Sequence, residues 1–330
     1  MRWPSLCLAL GLMPLLWGSA FAAPAASTDD EPAAFSAERA SFAVSVRGLS
    51  IPYRVMGLFV MPNEQVRLNI EASPITSVSS AARFTMASRS GRVRMTGPRT
   101  WQWTAPDAPG LYPLTLTDAA SGDVIRLNVF VLTPYDHRQR RLDGYRIGHY
   151  RKKPLRDNPV YARPTGFVEL TAANRDVRVA PHFTLGQFAC KQTDAYPQYL
   201  LLREHLLLKL ERLLQAVNAR GHAVQTLHVM SGYRTPHYNR SIGNRTDYSR
   251  HLYGGAADVF VDADGDAYMD DLNGDGAVTR ADAQVLAALM ETAMQDDAVQ
   301  QFKGGLGIYG PAPHRGPFIH VDARGYRARW

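Results

Sequence analysis

Two segments constrain this chain more than anything else in it. One is Ser249-Arg250-His251-Leu252-Tyr253-Gly254-Gly255-Ala256-Ala257-Asp258; the other, much later, is Phe318-Ile319-His320-Val321-Asp322. The glycines and alanines at 254–257 allow a tight turn that leads Asp258 onto the start of a strand. The later segment alternates as a strand does, so His320 and Asp322 project from one face. A fold that joins the two segments brings together two imidazoles and a carboxylate. Three N/O ligands of this kind suit a catalytic Zn²⁺, with the fourth tetrahedral position open to water.

A second block, Ser231-Gly232-Tyr233-Arg234-Thr235-Pro236 with Asn239, precedes the first ligand. Together the three blocks resemble the zinc D-Ala-D-Ala peptidases, part of the wider group that includes lysostaphin-type enzymes and the hedgehog signalling domain. The resemblance covers roughly the last 150 residues, a span suited to one domain. It implies an α+β zinc peptidase domain with His251, Asp258 and His320 on the metal. It also implies that Arg234 contacts a peptide carboxylate or carbonyl near the scissile bond and that Ser249 lies close to substrate. Arg234 suits bidentate recognition of such a group; an arginine satisfying backbone carbonyls at a turn is the structural alternative. Ser231 and Asn239 are expected to brace the turn, and Asp322 to orient a ligand imidazole. The chain departs from the family at one point. Many members carry Glu-x-x-His, but Pro317 stands where the glutamate would be. His314 is the expected substitute for proton transfer.

Between the ligands, Asp271, Asn273, Asp275, Ala277, Thr279 and Asp282 follow the spacing of an EF-hand loop, with Asp in place of Glu at the last position. Oxygen ligands of this kind suit Ca²⁺. An acidic, solvated hairpin is the alternative for this insertion, 262–282.

At 330 residues the chain exceeds one typical domain. Residues 1–22 read as a signal peptide: Arg2, an apolar core from Leu6 to Gly18, and Ala20-Phe21-Ala22 for cleavage. The core is short and contains Pro14, and no later stretch is long and apolar enough to cross a bilayer. The expectation is an exported protein, periplasmic or extracellular. Cys7 leaves with the signal, so Cys190 is the single mature cysteine and reads as a buried small hydrophobe. The net charge is +7, which favours an acidic partner, and export turns that preference from nucleic acid to a cell-wall polymer.

Residues 23–39 read as a flexible linker, rich in Ala, Pro and Ser. From 40 to 133, short alternating segments at 41–46, 66–70, 92–95, 101–103, 111–116 and 124–132 predict an all-β sandwich of immunoglobulin-like type. Trp101 and Trp103 share a face there and read as core. Residues 134–182 form either an ordered connector or a small β-module, with short strands near 145–148 and 166–170. The peptidase domain spans 183–330, with helices expected at 200–217 and 281–295 and strands at 224–230, 256–261, 306–309 and 318–321. The expected function is hydrolysis of D-alanine-containing bonds in peptidoglycan stem peptides or cross-links, as a carboxypeptidase or an endopeptidase. The rivals are a non-catalytic wall-binding protein that retains the zinc scaffold, for which Pro317 is the argument, and a hydrolase of L,D-bonds or general dipeptides.

Overall fold

Between Arg39 and Val131 apolar and polar residues alternate over several short stretches closed by turns, and the described residues there form nine strands. The computed structural model describes residues 34–72, 83–295 and 303–330. The signal expected at 1–22, and residues 23–33 of the linker, lie outside them. The strands are β1 Arg39–Val46, β2 Leu49–Tyr53, β3 Val55–Val60, β4 Gln65–Ala72, β5 Phe84–Ser88, β6 Arg92–Gly97, β7 Thr100–Thr104, β8 Gly110–Asp118 and β9 Val124–Val131. They form two sheets, ordered β2-β1-β4-β7-β6 and β3-β9-β8-β5. All pairings are antiparallel except β3 with β9.

The two sheets share one core. Phe42 on β1 meets Phe84 on β5 with ring centroids 5.5 Å apart. Trp101 and Trp103 are both buried, and the Trp103 indole donates to the Ser90 carbonyl at 3.0 Å. Five of the six segments expected as strands lie within strands, and the sixth, 124–132, runs one residue past β9. Three strands, β2, β3 and β5, were not anticipated. β3 is buried along its whole length, so it lacks the alternation that marks a half-buried strand.

Seven short strands follow: β10 Thr133–Pro134, β11 Arg141–Leu142, β12 Tyr145–Arg146, β13 Gly166–Leu170, β14 Arg178–Ala180, β15 Phe183–Thr184 and β16 Gln198–Leu200. β13 pairs with β10 on one side and β16 on the other. Where β3 passes β14, Gly57 lies so close to Val179 that an added Cβ would sit 3.2 Å from the valine side chain. Two hydrogen bonds extend this junction: Asn128 Nδ2 donates to the Arg178 carbonyl at 2.8 Å, and Gln215 Nε2 donates to the Tyr53 hydroxyl at 2.8 Å. From Phe35 to Trp330 the chain is one compact unit.

The C-terminal part contains α1 Glu204–Ala219, β17 His228–Ser231, α2 Pro236–Ser241, β18 Ala256–Phe260, α3 Arg280–Ala293, β19 Gly305–Tyr309, β20 Phe318–Asp322 and β21 Ala328–Arg329. Its sheet is ordered β17-β18-β20-β19-β21, antiparallel apart from β19 with β21. The described chain is thus strand-rich with few helices. Helix α1 buries Leu206, Leu207, Leu210, Leu213, Leu214 and Val217 and packs on α3, which lies against β19 and β20. It starts four residues later than the leucine spacing predicts, because β16 claims Leu200 for a sheet edge. No helix among the described residues is long and apolar enough to cross a membrane.

One buried charge tests the N-terminal sheets. Asp118 is fully buried and accepts from Arg83 Nε and Nη2 at 2.8 and 2.7 Å, from Ala120 N and from Ser121 Oγ. The Arg83 hydrogen bonds, chiefly, hold its carboxyl down at about 2. A carboxyl depressed in the fold stabilises it above the unfolded value near 3.9 and loses that contribution as pH falls towards 2. Asp118→Asn is expected to lower neutral-pH stability by about 2 kcal/mol or more, because Arg83 loses its charge partner. Thermal melts from pH 7 down to pH 2 check both points: the wild-type advantage over the variant should shrink between pH 4 and 2.

Candidate metal centre

Strand register builds the centre. β18 lies between β17 and β20, with Ser231 opposite Asp258 on one side and His320 opposite Asp258 on the other. Side chains at paired positions share a face, so the carboxylate and one imidazole meet without any loop being involved. His251 comes from the single 3-10 turn Arg250–Tyr253 that precedes β18. That turn ends at Gly254, whose φ of +66° is the left-handed conformation that glycine adopts freely. An added Cβ there would also collide with the Leu201 and Leu202 backbone. The small residues singled out in the sequence therefore let the turn close against the neighbouring chain and deliver Asp258 directly onto the strand.

His251, Asp258 and His320 are all buried. Their inward atoms converge: His251 Nε2 is 3.1 Å from His320 Nδ1 and 3.2 Å from Asp258 Oδ1, which is 2.8 Å from His320 Nδ1. Three tetrahedral ligands about 2 Å from one ion lie about 3.3 Å from one another. The outward atoms fix which inward atoms carry lone pairs. His251 Nδ1 faces the Gly232 carbonyl at 2.7 Å, which only an N–H can satisfy. His320 Nε2 donates to Asp322 Oδ2 at 3.2 Å. Both imidazoles then turn a bare nitrogen toward a carboxylate oxygen, and three lone pairs facing one point require a cation. A proton is the alternative occupant. Burial opposes a charged His320, yet its hydrogen bonds to Asp258 and Asp322 outweigh burial and raise its pKa. For His251 burial prevails and lowers it. Asp258, despite its burial, is held well below the usual carboxylate range by the two histidines. The donor set fits Zn²⁺.

Arg234 and Asp322 form the surrounding layer. Arg234 Nε donates to Ser231 Oγ at 2.7 Å, and its Nη2 bonds the second Asp258 oxygen, Oδ2. Asp322 takes hydrogen bonds from Gly305 N at 2.9 Å and from the Arg324 guanidinium. These contacts outweigh burial and keep the Asp322 carboxyl far below its usual range. The Asp322 carbonyl accepts from buried Lys209 at 2.8 Å, and burial lowers that ammonium to about 8. Asn239 is buried and donates to the Asn244 and Thr246 carbonyls, closing the loop after α2.

A cavity of about 580 Å³ opens over the three donors and is lined by Arg234, Ser249 and the ligands themselves. His314 does not reach it. The Ala312–Arg315 bridge folds His314 into an exposed turn, and Arg315 anchors that turn by lying 4.7 Å over the Phe318 ring. Burial raises the Cys190 thiol.

The loop at 271–282 is closed by its own backbone. Asp271 accepts from Gly274 and Gly276 N–H groups, and Asn273 and Asp275 accept from residues two further on. Buried Asp282 accepts from Leu272, Asn273 and Thr279 N–H and completes a capping box with Thr279 at the start of α3. The backbone carbonyl position Ala277 is exposed. The second convergent group of ligand types among the described residues is Asp262, Asp264 and Asp270, outside that loop.

Sequence reasoning missed much of the cavity wall: Tyr161 from the proline-punctuated segment, Arg250, Arg324, Tyr309, Tyr326 and Trp330. Arg250 had one available signal, its place between Ser249 and His251. The others are brought in by strand pairing that no spacing along the chain reveals.

Two substitutions separate ligand from orienting residue. Asp258→Ala should abolish zinc retention, as should His251→Ala. Asp322→Asn should retain zinc with affinity reduced about 10- to 100-fold. Zinc content by atomic absorption after dialysis against graded chelator checks both; full retention by Asp258→Ala would overturn the ligand assignment.

Residues 181–270 match the family model of Peptidase M15. No curated protein matches the chain. Among solved structures, an L,D-transpeptidase from Mycobacterium smegmatis aligns with 22% identity over 26% of this chain and 38% of that one, with a TM-score of 0.16. The alignment thus spans well under half of that protein's length. The matched segment runs through the Ser231–Pro236 block, His251 and Asp258, so the stretch that supplies two of the three converging donors is the one that resembles the peptidase M15 family.

Proposed function

We propose that this protein is an exported zinc peptidase that hydrolyses D-alanine-containing peptide bonds of peptidoglycan. The observation that carries the reading is the convergence of His251 Nε2, His320 Nδ1 and Asp258 Oδ1 at the floor of an open cavity. Zinc bound there supplies Lewis acidity and an activated water. The chain's own residues do the rest. Gly232 and Asp322 hold the two rings in the tautomers that ligate. Arg234 is fixed by Ser231 and Asp258, and its Nη1 makes no hydrogen bond within the described protein. That leaves one preset N–H of a permanent cation to meet a carbonyl oxygen as it gains negative charge. The cationic cavity favours the carboxylate-rich stem peptides of the wall. The export part of the reading rests on the signal-like residues 1–22, and the immunoglobulin-like reading of 40–133 on its two facing sheets. Such a module would hold the catalytic part near a polymeric substrate.

One observation favours a second reading. Neither glutamate nor a histidine other than the ligands lines the cavity among the described residues, and His314 is turned away. A site that binds metal and peptide but accepts protons poorly is what a wall-binding protein on a retained zinc scaffold would have.

Incubation with intact peptidoglycan and with soluble stem peptides ending in D-Ala-D-Ala, read by mass spectrometry beside a chelator-treated control, decides between them. The peptidase reading expects a metal-dependent loss of terminal alanine or cleavage of cross-linked dimers. Binding to peptidoglycan with no metal-dependent product would replace it with the second reading. Arg234→Ala should lower kcat/KM by about 10²- to 10³-fold, the cost of one lost oxyanion donor, while zinc content stays unchanged.

A further inference from the structure

A second cavity, of about 310 Å³, shares none of its lining residues with the metal cavity. Its wall is basic. Arg140, Arg141, Arg146 and His149 reach it from the segment before β13, and His237 and Arg240 from α2. Among the described residues no aspartate or glutamate lines it, and all four arginines are exposed.

The register forces two of these cations together. β11 pairs with β12 so that Arg141 lies directly opposite Arg146, and both side chains line the cavity. Like charges in opposed positions of an antiparallel pair repel. The backbone holds them there all the same. Ile147 and Gly148 donate N–H groups to the Arg140 carbonyl at 3.0 and 3.1 Å, and the His237 N–H donates to the Ile147 carbonyl at 3.1 Å. Gly148, with φ of +94°, lies so close to α2 that an added Cβ would sit 2.6 Å from the His237 nitrogen. Hairpin and helix are thereby clamped with their cations around one opening.

The acids of the neighbourhood are engaged elsewhere. Asp136 pairs with Arg138, and Asp143 accepts from the Tyr199 hydroxyl at 2.5 Å. Asp247 is shared between Arg151 and Arg240, which leaves Arg240 only partly neutralised. Arg141 spends one N–H on the Gly144 carbonyl at 2.6 Å. Burial, then Arg146 and Arg141, hold His237 below its usual range, so it is a neutral hydrogen-bonding ring amid fixed positive charge at pH 7. Solvated arginines ordinarily spread apart or pair with carboxylates; here they are held together around a hollow with no anion of the chain's own.

We propose that this cavity is a phosphate-binding site, taking inorganic phosphate or a phosphate ester. A phosphate group brings about two negative charges and three strong acceptor oxygens, which suits several guanidinium forks better than a carboxylate does. The site is separate from the metal centre, and the proposal does not depend on the peptidase reading.

The test is calorimetry on the full chain, chelator-treated so that phosphate on a metal does not contribute, with inorganic phosphate as probe and acetate as the carboxylate control. Wild type should bind phosphate saturably and more tightly than acetate. Arg140→Gln with Arg146→Gln should weaken phosphate about 10-fold or more, the scale of one lost charge-assisted hydrogen bond. Arg92→Gln with Arg94→Gln removes the same charge from exposed β6 and should change binding less than about 2-fold, as screened surface charge does. Equal weakening by the two pairs would overturn the proposal, because binding would then follow net charge. Acetate bound as tightly as phosphate, or no saturable binding, would overturn it without any variant. The single variant Arg146→Gln, which relieves the opposition to Arg141, should melt no lower than wild type in phosphate-free buffer. It should also lose most of the rise in melting temperature that phosphate gives wild type; an undiminished rise would count against the site. Two further arms name the source. Sedimentation with phosphatidylcholine vesicles only when they carry phosphatidic acid assigns the phosphate to a lipid headgroup, retention on poly(glycerol phosphate) assigns it to a polymer, and neither, with saturable phosphate binding intact, leaves free phosphate as the ligand.

Discussion

A carboxylate buried in a sheet is the constraint on which the C-terminal half depends. Asp258 sits on the middle strand of three, and leaving its charge unpaired there would cost more than most single contacts can return. Each of its oxygens is answered. Oδ1 faces two imidazoles, and Oδ2 is held by Arg234, which Ser231 steadies from the neighbouring strand. These partners come from three different segments, and each needs its own support: Gly232 behind His251, Asp322 behind His320, and Arg324 with Gly305 behind Asp322. The chain of support ends at Lys209 on α1, whose ammonium reaches the Asp322 carbonyl beneath the sheet. Helix packing, strand register and the metal geometry are one problem solved together.

How much of this was legible in the sequence follows from what each element encodes locally. The motif around His251 and Asp258 carries its own turn, and the alternating Phe318–Asp322 carries its own face, so both could be read without knowing the fold. The half-buried strands of the N-terminal sheets announced themselves by alternation, whereas β3, with apolar residues on both faces, did not. The start of α1 was misplaced because leucines at helical spacing continue into residues that a strand then uses. His314 illustrates a different gap. Its distance along the chain from His320 suits a residue of the site, but a two-residue turn between Ala312 and Arg315 directs it to solvent, and turn geometry outweighs proximity in sequence. Asp282 fits a loop pattern by spacing, yet the same residue fits a capping box: its Oδ2 accepts from the N-cap Thr279 N–H and its Oδ1 from the Leu272 and Asn273 N–H groups at the start of the loop.

The cavity wall was the least legible part, for a physical reason. Tyr161, Tyr309, Tyr326 and Trp330 belong to segments distant in sequence that the fold brings to one cavity. Read singly, each aromatic has a bland fate in a core. Together they make one wall of the cavity, where ring faces hold Arg250 and Arg324 by cation–π contact.

That wall also bears on how the centre would work, on the proposed peptidase reading, without the glutamate that Pro317 replaces. A hydrolytic site needs a group that takes a proton and groups that steady negative charge. The described residues supply the second in abundance, with Arg234, Arg250 and Arg324 around one opening, and supply the first only sparsely. An excess of fixed positive charge lowers the cost of a bound anion and of a developing oxyanion alike, and it depresses the pKa of any neutral acid nearby. Water at such a site loses its proton more readily, which eases the demand on a dedicated base. Charge placement and proton transfer are then alternative ways of lowering the same barrier, and this chain has concentrated its residues on the first.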